Sequence, residues 1–300
     1  MSDNGYPWIN PVGGFGDALV LSGVLKQVVD HYPQRRFNLV RRTRYQSLLE
    51  GHEAIASIGH PPKGSTILHT THWEMEVPGD GLCRPYQILA HAYGLPTPIE
   101  EKFYVPGVPG EDPLFFSTIP WGKVNVLISP LSNSPRKEMD PRIWNEVVEM
   151  LRKEGFFVLQ GGMEGDLRIR NTFSLRGLTT PRQLLSLLRR IDLVITVDNF
   201  TMHAAQAMGR RAVVIWGPTS KENFGYPGQV HLQLPPKCGP GNCFARNPGR
   251  GEKMYGTKCD NPGGHCTDQY GAKGVFDAAK HALSTAFKGG LSIVGPRGNG

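Results

Sequence analysis

Three polar turns carry most of the side chains able to do chemistry, and each follows an apolar run. Ser132, Ser134, Arg136 and Lys137 come after VNVLIS. Hydroxyls and cations at a strand's carboxyl end can hold a diphosphate, and a plain polar loop has the same composition. Glu164 sits in Gly-Gly-Met-Glu-Gly-Asp after FFVLQ, where a carboxylate can accept hydrogen bonds from ribose hydroxyls; an ordinary turn is the alternative. Asp198, Thr201 and His203 follow LVITV and open an Ala-rich helical stretch that Gly209 stops. A helix N-terminus offers unpaired N–H groups and partial positive charge, which suit phosphate. Three such turns converging on one sheet edge say more than any one of them.

A fourth turn lies near the start, Gly13-Gly14-Phe15-Gly16-Asp17, between a short apolar segment and a helix. Gly14 and Gly16 allow backbone to approach a ligand closely. The turn is not the dinucleotide fingerprint: Ala18 stands where its third glycine belongs, and Arg41-Arg42 rather than an acid follow the second strand. Asp17 can act as general base on an acceptor hydroxyl or simply cap the helix. His69, His72 and Trp73, in LHTTHWE, can line an acceptor pocket or be ordinary loop residues. Cys238, Cys243, Cys259 and Cys266 fall within a Gly/Pro-rich, basic stretch too poor in apolar residues to pack alone. Four thiolates can hold one tetrahedral metal, iron or zinc, and so fold such a loop; disulfides are the rival reading.

These turns need parallel sheets to hold them. The apolar runs at 124–129, 156–160, 193–197 and 212–216 read as strands buried on both faces, alternating with helices at 140–153, 181–190 and 201–208. Asp140 as cap with Pro141 behind it is a good helix start. The first third repeats the layout: a helix over 18–31, a strand over 37–40, a short helix at 45–49, short strands at 54–58 and 65–68, and a helix over 86–93. Residues 96–120 are Pro-rich, as a linker is. The expected organisation is an N-terminal Rossmann-like domain over 1–120, a C-terminal one over 121–288 that includes the cysteine loop 238–266, and a loose tail over 289–300. An apolar share of 39% in 300 residues suffices for two cores. No apolar run reaches the about 18 residues a membrane span needs, and the start lacks a secretion-signal layout. A cytoplasmic protein is expected. A net charge of +7, with Arg35, Arg36, Arg41, Arg42 and Arg44 in one stretch, suits an anionic partner.

The order of these segments resembles the ADP-heptose:lipopolysaccharide heptosyltransferases, glycosyltransferase family 9. The carriers are Gly14-Phe15-Gly16-Asp17, the hydroxyl-and-lysine loop from Ser132 to Trp144, the turn from Gly161 to Glu164, the Leu175-Arg176-Gly177-Leu178-Thr179-Thr180 stretch, the Asp198-to-His203 signature and Gly217-Pro218-Thr219. The resemblance implies an α/β chain of GT-B fold, two Rossmann-like domains facing across a cleft, with a glycosyltransferase activity that uses a nucleotide-diphosphate sugar, ADP-heptose first. It implies Asp17 as base, Lys137 with Ser132 or Ser134 on the diphosphate, Glu164 near the ribose or base, and Asp198, Thr201 and His203 on the phosphate and sugar side. The acceptor is a glycan or a protein. Asn199-Phe200 departs from the family's Thr-Gly. The cysteine segment resembles the finger of autotransporter heptosyltransferases, which implies a structural metal and a homo-oligomer. No Asp-x-Asp pair occurs, so no catalytic divalent metal is expected. Two alternatives stand beside this reading: a metal-knuckle nucleic-acid binder on the same scaffold, supported by net charge, and a GT-B nucleotide-sugar epimerase.

Overall fold

Short strands, most of them buried, alternate with helices along the chain, and this rhythm builds two parallel sheets. The computed structural model describes residues 5–11, 13–41, 46–69, 84–107, 114–236 and 265–285. The chain divides into two compact units, one containing Met1–Gly110 and the other Glu111–Gly290. Among the described residues no helix is long and apolar enough to cross a membrane.

In the first unit, β1 (Trp8–Asn10), β2 (Phe37–Val40), β3 (Ile55–Gly59) and β4 (Ile67–His69) form a sheet in the order β3-β2-β1-β4, every pair parallel. The crossover from β1 to β2 is α1 (Phe15–His31), which buries residues on most of its circumference, Leu19, Val20, Leu21, Val24, Leu25 and Val28 among them. It packs against α2 (Pro85–Ala92). Gly23 makes this close approach possible. A methyl group there would overlap the Lys102 carbonyl oxygen and lie 2.5 Å from the Tyr86 hydroxyl, which itself donates to that carbonyl. Gly23→Ala gains helix propensity but forces backbone apart. We expect a net loss of about 1–3 kcal/mol, read as a lower urea midpoint with an unchanged slope.

In the second unit the strands are β5 (Asn125–Ser129), β6 (Phe157–Gln160), β7 (Phe173–Ser174), β8 (Leu193–Val197), β9 (Ala212–Ile215) and β10 (Val230–Leu232). Their order is β10-β9-β8-β5-β6-β7, again all parallel. From β5 the chain moves outward through β6 and β7, then returns to lay β8 on the opposite side of β5. The sheet's switch point therefore falls between β5 and β8, where an open α/β sheet leaves a crevice beyond its strand ends. The helices are α3 (Pro141–Lys153), α4 (Pro181–Leu188), α5 (Phe200–Ala207), the one-turn α6 (Lys221–Phe224) and α7 (Gly271–Ser284). Asp140 caps α3, accepting from Arg142 N at 2.7 Å, and Thr180 forms a capping box with Gln183 on α4. The core gathers Val126, Ile128, Trp144, Val147, Leu151, Ile195, Val213 and Val275.

One expectation needs correction, and two strands went unanticipated. The short helix expected over 45–49 is a 3-10 turn, Gln46–Leu48; three residues with little apolar periodicity cannot propagate a helix. The strands β7 and β10 were not anticipated, being two and three residues long and half-buried. The expected cysteine loop lies outside the described residues apart from His265 and the buried Cys266.

Candidate active site

The loops after β5 and β8 are stitched together at the switch point. The register sets Ser129 opposite Thr196, so both strands deliver a hydroxyl to the edge. Asn199 follows and caps α5, its Oδ1 accepting from Thr201 N at 2.8 Å. The same amide's Nδ2 donates to Ser129 O at 3.1 Å, Ser129 Oγ at 3.0 Å and Leu131 O at 2.8 Å. Thr201 Oγ1 donates to Ser129 Oγ at 2.9 Å. One asparagine thus fixes the helix start and ties it to a loop about 70 residues away in sequence.

Beside this staple, Lys137 Nζ meets Asp198 Oδ2 at 2.8 Å, with only 10% and 6% of the two side chains exposed. Thr219 Oγ1 donates to the same oxygen at 2.7 Å. Burial pushes the Asp198 carboxyl up, but the Lys137 charge and the hydrogen bonds from Lys137 and Thr219 outweigh it and hold the group below the usual carboxylate range. Asp198 is therefore ionised at neutral pH. His203, half-buried on α5, is hydrogen-bonded through Nδ1 to the Tyr226 hydroxyl at 2.6 Å.

Lys137 ends a 3-10 turn, Pro135–Lys137, in the loop between β5 and α3. Ser134 is fully buried; Ser132 Oγ accepts from Ser134 N at 3.2 Å, and Ser132 N donates to Glu138 Oε1 at 3.2 Å. Burial, with the Asp166 charge nearby, pushes the half-buried Glu138 carboxyl up, against the hydrogen bond from Ser132. The turns after β5 and β6 are thus electrostatic neighbours. Gln160 shapes the second of them, its Nε2 donating to Leu167 O at 2.7 Å and its Oε1 accepting from Ile169 N at 2.8 Å. Glu164 stands exposed on that turn. Gly177 faces it with φ +70°, where a Cβ would lie 2.8 Å from that of Glu164, so the turns after β6 and β7 can meet only with glycine there.

In the first unit, Gly14 is the N-cap of α1 and Gly16 is buried. Asp17, half-buried in the first turn, accepts from Gly14 N through Oδ2 at 2.6 Å. His69 ends β4, and its register partner on β1 is Asn10, so His69 and the Asp17 turn share that sheet's carboxyl edge. His72 and Trp73 lie outside the described residues, as do Cys238, Cys243 and Cys259.

The sequence model of glycosyltransferase family 9 (heptosyltransferase) matches residues 83–234, half of the chain and the span that carries the stapled loops. The chain belongs to glycosyltransferase family 9. No curated protein sequence matches it. Solved structures share its fold at low identity. TibC from enterotoxigenic E. coli, an iron-containing dodecameric glycosyltransferase, is 14% identical, with 92% of this chain and 76% of that one covered and a TM-score of 0.70. A family 9 glycosyl transferase from Veillonella parvula gives 14% over 94% and 98%, TM-score 0.68. E. coli ADP-heptose LPS heptosyltransferase II gives 13% over 93% and 98%, TM-score 0.66. One TibC structure is a complex with ADP-D-β-D-heptose. The α/β, GT-B architecture expected for this glycosyltransferase is the one these structures share.

Within this family 9 chain, the second unit brings Ser132, Ser134, Lys137, Asp198 and Thr201 into one connected cluster, with His203 on the same helix. Sequence reasoning missed Ser129, Thr196, Thr219 and Tyr226 as its partners and treated Asn199 only as a departure from pattern. An Asn directly after an apolar strand and before a helix was the available signal, since it is a preferred cap. Arg35, one of the arginines whose charge suits an anionic partner, also serves the fold. Its guanidinium donates to Tyr93 O at 2.6 Å and lies over the Tyr32 and Phe37 rings.

Proposed function

We propose that this glycosyltransferase moves a heptose-like sugar from ADP-heptose to an acceptor hydroxyl. The observation that carries the reading is the ionised, buried Lys137–Asp198 pair beside the stapled α5 start. A diphosphate at this edge meets the Lys137 cation, the Ser132 and Ser134 loop and the positive end of α5. Thr201 and His203 line the phosphate and sugar side, and Glu164 takes the ribose. Asp17 takes the proton of the acceptor hydroxyl, whose oxygen attacks the anomeric carbon. The bond from that carbon to the diphosphate oxygen breaks, and ADP leaves with the electron pair. Gly14, Gly16, His69, His72 and Trp73 form the acceptor side, and the acceptor is a glycan or a protein hydroxyl. The ADP-heptose complex of TibC supports the choice of donor.

Cys238, Cys243, Cys259 and Cys266 would hold one iron or zinc ion; four thiolates suit either, and Cys266 is already buried. Such a metal would supply fold stability to the loop. An assembly of several copies fits the same reading, as TibC is dodecameric. A cytoplasmic location is part of the same proposal.

Thermal unfolding with ADP-heptose, ADP-glucose and UDP-glucose tests the donor. At a hundred times Kd, a ligand adds about 2.7 kcal/mol, roughly 5–10 °C for a cooperative unit the size of Glu111–Gly290. We expect that shift with ADP-heptose and little with UDP-glucose. Equal shifts with all three, or none with any, would overturn the donor assignment.

A further inference from the structure

The loop that carries Lys137 is held from an unexpected quarter. Thr267, fully buried just before α7, donates through Oγ1 to the Glu138 carbonyl at 2.6 Å. His265 Nδ1 lies 2.9 Å from the same oxygen. Two residues on, Asp140 N donates to Asp268 Oδ1 at 2.8 Å. Three contacts from a five-residue stretch thus grip backbone about 128 positions earlier in the chain. The stretch is itself anchored: Gln269 Nε2 donates to Pro235 O at 3.2 Å, and α7 packs on α3.

The same stretch touches the turn after β9. A methyl group on Gly217 would lie 3.0 Å from Thr267 Cγ2 and 3.2 Å from the Arg136 carbonyl oxygen. Two residues beyond Gly217, Thr219 binds Asp198. Thr267 therefore wedges between the backbone that carries Lys137 and the turn that holds Lys137's counter-ion. Within the 3-10 turn ending at Lys137, Lys137 N donates to Ser134 O at 2.9 Å and Glu138 N to Pro135 O at 3.2 Å. Such short turns have poor hydrogen-bond geometry and need outside support.

We propose that Thr267 is a positioning residue for the donor-binding loop: its hydroxyl fixes the exit of the Lys137 turn and so sets where the Lys137 ammonium stands. This rests on the reading of that loop as the donor's phosphate site. Thr267→Val keeps the shape and the methyl contact with Gly217 but removes the hydroxyl. Thr267→Ser keeps the hydroxyl.

Two measurements on the full chain test it. In hydrogen–deuterium exchange without donor, Thr267→Val should speed exchange over residues 132–140 by about tenfold and leave α4 unchanged, with Thr267→Ser close to wild type. In steady-state transfer from ADP-heptose, Thr267→Val should raise the donor KM about tenfold and leave the acceptor KM unchanged, and Thr267→Ser should restore it. Unchanged exchange over 132–140 would overturn the proposal, as would donor and acceptor KM rising together. Should wild-type protein show no affinity for ADP-heptose, the donor reading fails, and the exchange experiment alone still decides the role of Thr267.

Discussion

Lys137→Met is expected to cost both stability and transfer. The substitution keeps most of the side chain's bulk but strips Asp198 of its counter-ion at a site where the carboxylate is only 6% exposed. Breaking a buried pair from one side costs about 3–5 kcal/mol, because the remaining charge is stranded. Calorimetry should show a sharply lower melting temperature. Adding Asp198→Asn removes the stranded charge and leaves a group that still accepts from Thr219, so the double variant should recover most of the stability. It should not recover transfer. With the cation gone from the proposed diphosphate site, kcat/KM should stay down by about 10²–10³. Wild-type stability in Lys137→Met would mean the pair is not structural; wild-type turnover would remove Lys137 from the donor site. The sign with pH follows from the depressed Asp198 value. The unfolded carboxyl titrates near ~3.9 and the folded one below it. The pair's contribution is complete above that unfolded value and is lost as pH falls through the folded one. Wild type and Asp198→Asn should therefore differ most near neutrality and converge in strong acid.

What the sequence makes legible here is what local chemistry decides. The runs that become β5, β8 and β9 are mostly apolar because both faces are buried, and a nearly continuous apolar run shows in one dimension. Asp140-Pro141 and Thr180-Pro181 announce helix starts because a cap and its helix are adjacent in the chain. Polar turns after strands were findable for the same reason. The partners across the site were not. Lys137 reads as a phosphate-binding cation from its neighbours in sequence, and nothing local reveals that Asp198 meets it. Asn199 reads as an anomaly against the family signature until Ser129 and Leu131 are seen beside it. In place of a tight Thr-Gly turn, this chain uses an amide long enough to bridge two loops. Thr267 is a threonine in a polar stretch whose only distinction is a carbonyl far away in sequence. Short edge strands such as β7 escape because two half-buried residues have no period to detect.

Asp17→Asn separates two roles that the same carboxylate can fill. Asp17 Oδ2 accepts from Gly14 N, and that bond closes the first turn of α1. An asparagine side-chain oxygen accepts the same hydrogen bond, so Asp17→Asn should leave the helix start and the melting temperature nearly unchanged. Asp17→Ala loses the acceptor and should cost about 0.5–2 kcal/mol, in the range of lost helix caps. Catalysis divides the variants differently. Neither can take a proton from an acceptor hydroxyl, so both should lose about 10²–10⁴ in kcat, and ADP-heptose should still raise the melting temperature of both, because no donor contact is assigned to Asp17. The decisive pairing is Asp17→Asn: intact fold, intact donor binding, lost turnover. If Asp17→Asn turns over like wild type, the carboxylate serves α1 as a cap and the base lies elsewhere. If it loses turnover and donor affinity together, Asp17 belongs with the donor-binding residues instead.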